Sequence, residues 1–400
     1  MNEVEITRRF ETTAANTFRI SLNPPLFVKG EGALLYTADN VAYTDLVGGS
    51  ATSLLGHGHP AHRKAIMIAL DSGILHTGTR LPSPHRAALY SKLSEVLPEH
   101  LTRIHFANSG AEAIEAALKV AIYKTGRRRI ISFEGGYHGR TLGSLAVTHA
   151  EALRRPFEPW DKPWVDFSPY AFTDSQTDAA LLVLEKLLTA EPVAAVVIEA
   201  IQGVAGVRGP CKRFLKGVEH LTRQSRAILI VDEIWTGFGR SGSWFAFEQA
   251  ELVPDLVTLG KGLSSSLPIS AVVGREEILT SWTPGSHTST FQGNPIAAAA
   301  ACATIMEIQK EGLVARAKNV LAPLMTSALK GLPIRVCGAQ VAIDMGSKAA
   351  SLEFQRRALE NQILIYGGGV SGECAMLLPP LIIPENLLLN TIARLKDLMP

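Results

Sequence analysis

Cysteine is scarce and scattered in this 400-residue chain: Cys211, Cys302, Cys337 and Cys374 are the only four. Nothing in their spacing suggests a secreted disulfide scaffold, and no CxxC pair or Cys/His cluster suggests zinc or any other metal site. They read as reduced cysteines filling space. An excess of charge of one sign is also missing. Lys and Arg number 39 against 37 Asp and Glu, a formal net charge of +2, which gives no reason to expect nucleic acid or an anionic membrane as partner. Long hydrophobic runs are absent too. The opening MNEVEITRRFE lacks the apolar core of a signal peptide. The most apolar stretch, Pro295 to Met306, is too short to span a bilayer and reads as a buried Ala-rich helix. A cytoplasmic enzyme is the default expectation.

What is present is ample core: 46% of residues are hydrophobic and 19% charged, the balance of a soluble globular protein. The length exceeds one ordinary domain and predicts two packed lobes. No internal repeat or low-complexity linker divides the chain. Short apolar runs predict strands at Arg103–Ala107, Arg129–Phe133, Val193–Ile198, Ala227–Val231, Leu256–Leu259 and Ile269–Val273. Their nearly continuous apolar character suits strands covered on both faces. Helical patterns lie between them, at Ala111–Lys124 and Ala179–Leu188 among others. This alternation predicts an α/β lobe with a mostly parallel sheet over 51–310. Residues 1–50 and 311–400 read together as a smaller α/β lobe built from both termini.

The strand ends carry the chemistry. Arg103–Ala107 runs into Asn108-Ser109-Gly110, Val193–Ile198 ends at Glu199, Ala227–Val231 at Asp232, and Leu256–Leu259 at Gly260-Lys261. In open α/β sheets, carboxyl ends of strands converge on the ligand crevice. Ser109-Gly110-Ala111 before a helix leaves free N–H groups that favour an anion, although Ser-Gly is equally an ordinary N-cap. On that helix, Glu115 and Lys119 are spaced i,i+4 as an ion pair. Asp232 closes the apolar run AILIV, where a buried carboxylate is costly unless a cation meets it. A pyridinium nitrogen would serve, as would a cap or a structural ion pair. Lys261 lies between two glycines that let the backbone approach a bulky ligand. Burial there would lower its pKa and leave the neutral amine that Schiff-base chemistry needs, while an exposed loop lysine is the plainer alternative.

Taken in order, FANSGAEAIEAALKVA, SFEGGYHGRTLGSLA, VVIEAIQGVAG, LIVDEIWTGFGRSG, TLGKGL with LPISAVVG, and HTSTFQGNP resemble the class III aminotransferase family (the ornithine, GABA and acetylornithine type). The likeness covers about residues 28–310, and GALLYTADNVAYTDLVGG with LLGHGHP is similar to the family's opening strands. The resemblance implies fold type I and the cofactor pyridoxal 5′-phosphate (PLP), held as a Schiff base on Lys261, which would also carry the proton. It implies that Asp232 pairs with the pyridine nitrogen and that Ser109, Gly110 and Ala111 hold the phosphate. Tyr137 would stack on one ring face and Ile234 pack against the other, with His138 beside them. Glu199 would support the Asp232 side. Thr290 would reach the phosphate of a neighbouring subunit, implying a homodimer with shared active sites.

Departures from the family bear on the substrate. Val204 stands where many relatives have a glutamate, and Met376, in ECAMLLPPL, where they have an arginine that grips an α-carboxylate. Those two residues pair in relatives, so their joint loss strands no buried charge. Arg140 remains as the candidate for a substrate carboxylate, since a guanidinium binds one in bidentate fashion; a structural surface arginine is the alternative. Trp235 replaces a glutamine that hydrogen-bonds the cofactor's ring hydroxyl, and an indole N–H can donate but not accept. The resulting expectation is an aminotransferase moving nitrogen between a primary amine or amino acid and a keto or aldehyde acceptor. The rivals are an aminomutase, racemase, epimerase or decarboxylase using the same residues, and a PLP-binding module without turnover.

Overall fold

A computed structural model describes residues 3–15, 22, 24–157, 164–209 and 211–399. Its centre is a seven-stranded sheet in the order Arg103–Ala107, Ser270–Gly274, Leu256–Leu259, Ile228–Asp232, Val193–Ile198, Arg129–Phe133, Val165–Ser168. From Leu256–Leu259 to Val165–Ser168 every pairing is parallel. Ser270–Gly274 runs antiparallel to both of its neighbours. The mostly parallel sheet is therefore present, with two strands, Ile228–Asp232 and Ser270–Gly274, beginning and ending one residue later than the apolar runs suggest. Val165–Ser168 is a strand the sequence did not signal: VDFS is short, half polar and only partly buried on the sheet edge.

The unbroken apolar strands have a simple cause. Val196, Ile198, Leu229, Val231, Val257 and Leu259 face one core, while Ala195, Val197, Ile228, Ile230 and Leu256 face another across the sheet. Side chains alternate between faces, and here both faces are dry, so apolar residues dominate both registers. Truncating one of these leucines to alanine would cost about 2–5 kcal/mol. The helix Gly110–Thr125 lays Ala113, Ile114, Ala117, Val120 and Ala121 on the second core. It stops at Gly126, whose φ of 68° is left-handed and suits glycine. Asp174–Ala190 begins five residues before the predicted Ala179, because its first turn, DSQTD, shows no apolar period. Pro295–Lys310 is the buried Ala-rich helix, capped by Asn294, whose side chain accepts from the Ile296 and Ala297 N–H groups.

Two four-stranded sheets flank this centre. One joins Phe27–Glu31, Leu34–Thr37 and Ala42–Asp45 to Ile363–Leu364, with Ile363 opposite Thr44 in parallel register. Segments from both ends of the chain thus share a sheet. The other places Ile334–Val336, Val341–Asp344, Cys374–Leu377 and Tyr366–Gly368 side by side, all antiparallel. Leu378 and Leu381 donate their N–H groups to Leu46 and Leu54 and tie this sheet to the first. Residues 1–2, 16–21, 23 and 400 of the expected small lobe lie outside the described residues. Among the described residues no helix is long and apolar enough to cross a membrane, and all four cysteines are free.

Candidate active site

Three adjacent parallel strands, Val193–Ile198, Ile228–Asp232 and Leu256–Leu259, end side by side. Glu199 follows the first, Asp232 is the last residue of the second, and Lys261 follows the third after Gly260. Neighbouring strands sit only about 5 Å apart, so the two acids and the lysine gather at one edge. Lys261 begins a short 3-10 turn, Lys261–Leu263, with φ at 41°. A non-glycine residue in that left-handed region costs on the order of 1–3 kcal/mol and is typical of functional sites.

Asp232 is 4% exposed, and its carboxylate has three partners. One oxygen accepts from the Ile234 N–H at 3.0 Å and the Thr258 hydroxyl at 3.1 Å, and the other meets His138 Nδ1 at 2.8 Å. Burial alone would lower the basicity of His138, but the hydrogen bond and charge of Asp232, with Glu199 behind, raise it above its ordinary value. His138 Nε2 is buried without a partner among the described residues. Glu199 accepts from the N–H groups of Tyr137 at 2.9 Å and Gly203 at 3.2 Å. Burial pushes its carboxyl up to about 7 against the pull of His138. Lys261 is brought down to about 8 by burial, while Asp232 and Glu199 act in the opposite sense. Its amine has no hydrogen-bond acceptor among the described residues and lies 4.2 Å from the centre of the Trp235 ring.

The start of the Gly110–Thr125 helix adjoins this cluster. Ser109 is its N-cap, accepting from the Glu112 N–H at 3.2 Å, and its carbonyl accepts from Ser270 Oγ at 2.7 Å. The N–H groups of Gly110 and Ala111 meet no acceptor among the described residues. A Cβ on Gly110 would fall 2.8 Å from Ile234 Cδ1, and one on Gly260 3.3 Å from Ile234 Cγ2, so Ile234 lies against both glycines. An aldehyde-bearing pyridine phosphate fits this set: an amine lacking an acceptor, a buried carboxylate for a ring nitrogen, an apolar wall, and free N–H groups at a helix start for an anion.

Other predicted residues fall differently. Glu115 and Lys119 do not pair. The Glu115 carboxylate accepts from Thr141, Gly143 and Ser144, while the Lys119 amine reaches His287 Nδ1 at 3.0 Å; three donors at a neighbouring helix start outcompete one exposed lysine. Thr290 is exposed and stands apart from the cluster, although the adjacent Ser289 accepts from Asn108 Nδ2 at 2.8 Å. Arg140 is exposed and donates from Nε to the Tyr137 hydroxyl at 3.0 Å. Trp235 does not keep its N–H for a ligand, because that group donates to Gln340 Oε1 at 3.1 Å. Met376 belongs to the apolar core and Val204 packs against it, and a Cβ on Gly368 would fall 2.1 Å from Met376 Sδ and 3.0 Å from the Val204 backbone carbonyl oxygen. Thr258, Gln340 and Tyr366 carried no motif. Thr258 was within reach of sequence reasoning, since it is the in-register partner of Asp232 on the next strand.

The chain is similar to known proteins over most of its length. The class-III aminotransferase family model matches residues 20–399. An acetylornithine aminotransferase of Archaeoglobus fulgidus is 39% identical over 90% of this chain and 91% of its own. One from Methanopyrus kandleri is 34% identical over 99% and 98%. A probable 4-aminobutyrate aminotransferase of Bacillus subtilis is 32% identical over 92% and 91%. In fold, a transaminase from the marine bacterium Virgibacillus superposes with a TM-score of 0.90 at 21% identity, covering 98% of this chain and 99% of that one. The chain belongs to the class-III aminotransferase family and is a PLP-dependent aminotransferase.

Proposed function

We propose that this aminotransferase acts on a primary amine, or on an amino acid whose reacting amino group lies away from its carboxylate. The observation that carries this reading is that Met376 belongs to the apolar core and Val204 packs against it, where relatives place a charged pair. Without an arginine at 376, no guanidinium stands there to hold an α-carboxylate next to the reacting carbon. Arg140 supplies the grip instead: with Nε held by Tyr137, its two terminal nitrogens meet no acceptor among the described residues and suit a carboxylate in bidentate contact. Relatives named for acetylornithine and 4-aminobutyrate also act on amines remote from a carboxylate.

In this reading the chain's own groups divide the work. Lys261 anchors the cofactor and, once displaced by substrate, moves the proton beside the reacting carbon. Asp232 pairs with the ring nitrogen, and His138, Thr258 and the Ile234 N–H fix its carboxylate. Glu199 holds the Tyr137 backbone, Tyr137 and Ile234 cover the ring faces, and Trp235 packs beside the lysine. Ser109, Gly110 and Ala111 hold the phosphate. When bound, the cofactor supplies a sink for the charge left on the carbon that loses its proton.

The same reading takes 51–310 as the cofactor-binding lobe and 1–50 with 311–400 as the smaller one, in a cytoplasmic homodimer. Thr290 would complete the phosphate site of the other subunit. Support comes from the surface around it. Phe291 is 60% exposed and lies against His76 with ring centres 4.9 Å apart, and Leu75, next to His76 in sequence, is exposed as well. Apolar exposure of this extent marks a contact surface. The test of the substrate reading is a half-reaction: the PLP form is mixed with a panel of amines and its visible absorbance followed. ω-Amino acids and primary amines should bleach it faster than α-amino acids. A strong preference for α-amino acids that survives Arg140→Met contradicts it.

A further inference from the structure

Three segments distant in sequence meet around one side chain near the lysine. Trp235 lies in the loop after Ile228–Asp232. Its ring packs flat on Gly203, where an added Cβ would fall 2.3 Å from Trp235 Cδ1 and 2.6 Å from Nε1, so no other residue fits at 203 while the indole holds this pose. On the opposite side of the loop, Gln340 from the turn before Val341–Asp344 accepts the indole N–H at 3.1 Å. An indole can only donate, which fixes the orientation of that amide. Gln340 is fully buried and, among the described residues, its Nε2 has no partner and the indole contact is the one hydrogen bond of its side chain. Tyr366 closes the far edge, with ring centres 5.8 Å apart and planes at 58°.

The ring so fixed faces the Lys261 amine at 4.2 Å. An ammonium has three donors to satisfy, and among the described residues none finds an acceptor. The charged groups nearest to it are Asp232 and Glu199. His138 and Thr258 engage Asp232, and two backbone N–H groups engage Glu199, so neither acid is drawn to the lysine. Among the described residues the aromatic face lies directly against the amine, whose donors otherwise open onto the partly exposed space in front of it.

We infer that Trp235 is a positioning residue for Lys261: its π-face seats the free amine in the protonated form, and Gln340 latches that face in place. This rests on Lys261 being the cofactor lysine, and it goes beyond that reading by assigning the resting protonation state to an indole on this chain. Capture of the cofactor needs the neutral amine, whose nitrogen joins the aldehyde carbon as the oxygen leaves as water. A face that favours the ammonium moves capture to higher pH.

The test follows the rate at which cofactor-stripped protein regains visible absorbance on adding PLP, as a function of pH. The wild-type midpoint should lie above the value of about 8 that burial, Asp232 and Glu199 set without the indole. Trp235→Leu removes the face and should move the midpoint down by roughly 0.4 to 1.5 pH units, the span of a cation–π contact. Trp235→Phe keeps an aromatic face and should stay closer to wild type. Gln340→Leu releases the latch and should shift the midpoint in the same direction as Trp235→Leu, by less. An unchanged midpoint in Trp235→Leu, or an equal fall in Trp235→Phe, overturns the inference. If Trp235→Leu does not fold, the cofactor-stripped wild type answers instead. Its Trp235 emission, taken as the difference from Trp235→Phe, should step with the Lys261 titration, and the same step in Lys261→Ala overturns it. Borohydride labelling at a lysine other than 261 would instead refute the cofactor assignment, which keeps the two failures apart.

Discussion

Lys261 holds a left-handed backbone, an amine without an acceptor and a pKa lowered by burial to about 8, three costs that a lysine with only a structural role would not retain. Near neutral pH a useful fraction of such an amine is neutral, compared with a negligible one for an ordinary lysine at 10.5. Lys261→Ala should therefore lower kcat by on the order of a thousandfold or more, the scale of lost general acid–base catalysis, while circular dichroism stays that of wild type. Asp232→Asn keeps the shape but loses the charge. Removing a charge-assisted hydrogen bond of about 1.5–3 kcal/mol should weaken cofactor retention by roughly 10- to 100-fold, read by dialysis and visible absorbance. Arg140→Met should raise KM for carboxylate-bearing substrates and leave that of uncharged amines unchanged; equal effects on both would remove Arg140 from the substrate site.

At the scale of elements, the site is three parallel strand ends and one helix start, and this much could be read from the sequence. Apolar runs that stop abruptly at Glu199, Asp232 and Lys261 are conspicuous because both sheet faces are dry. What could not be read depends on tertiary neighbours. Glu115 and Lys119 have ion-pair spacing, yet Thr141, Gly143 and Ser144 take the carboxylate. Val165–Ser168 is too short and polar to stand out. Gln340 and Tyr366 come from a sheet whose pattern is ordinary, and only the fold brings them to Trp235. The helix start makes a prediction of its own. Gly110→Ala places a methyl 2.8 Å from Ile234 Cδ1 and 2.9 Å from Cγ2, so Ile234 must shift toward the cofactor space. Overpacking of this kind costs about 1–3 kcal/mol. Both Tm and PLP affinity should fall, and a fall in Tm with unchanged affinity would separate Ile234 from the ring.

For the whole molecule, the proposed dimer concerns the Thr290 segment and its apolar neighbours. Phe291→Glu puts a charge on an exposed position, so the fold of one subunit should survive. Sedimentation should then give half the wild-type mass, with PLP bound more weakly because Thr290 no longer reaches across; wild-type mass with full activity contradicts the shared site. The most direct measurement concerns the cofactor lysine itself. Borohydride reduction of the PLP-loaded protein fixes the cofactor to the amine it has joined, and mass spectrometry of the peptides identifies that residue. The adduct should lie on Lys261 alone, in the peptide containing TLGKGL, and an adduct on any other lysine, with Lys261 unmodified, would contradict the account.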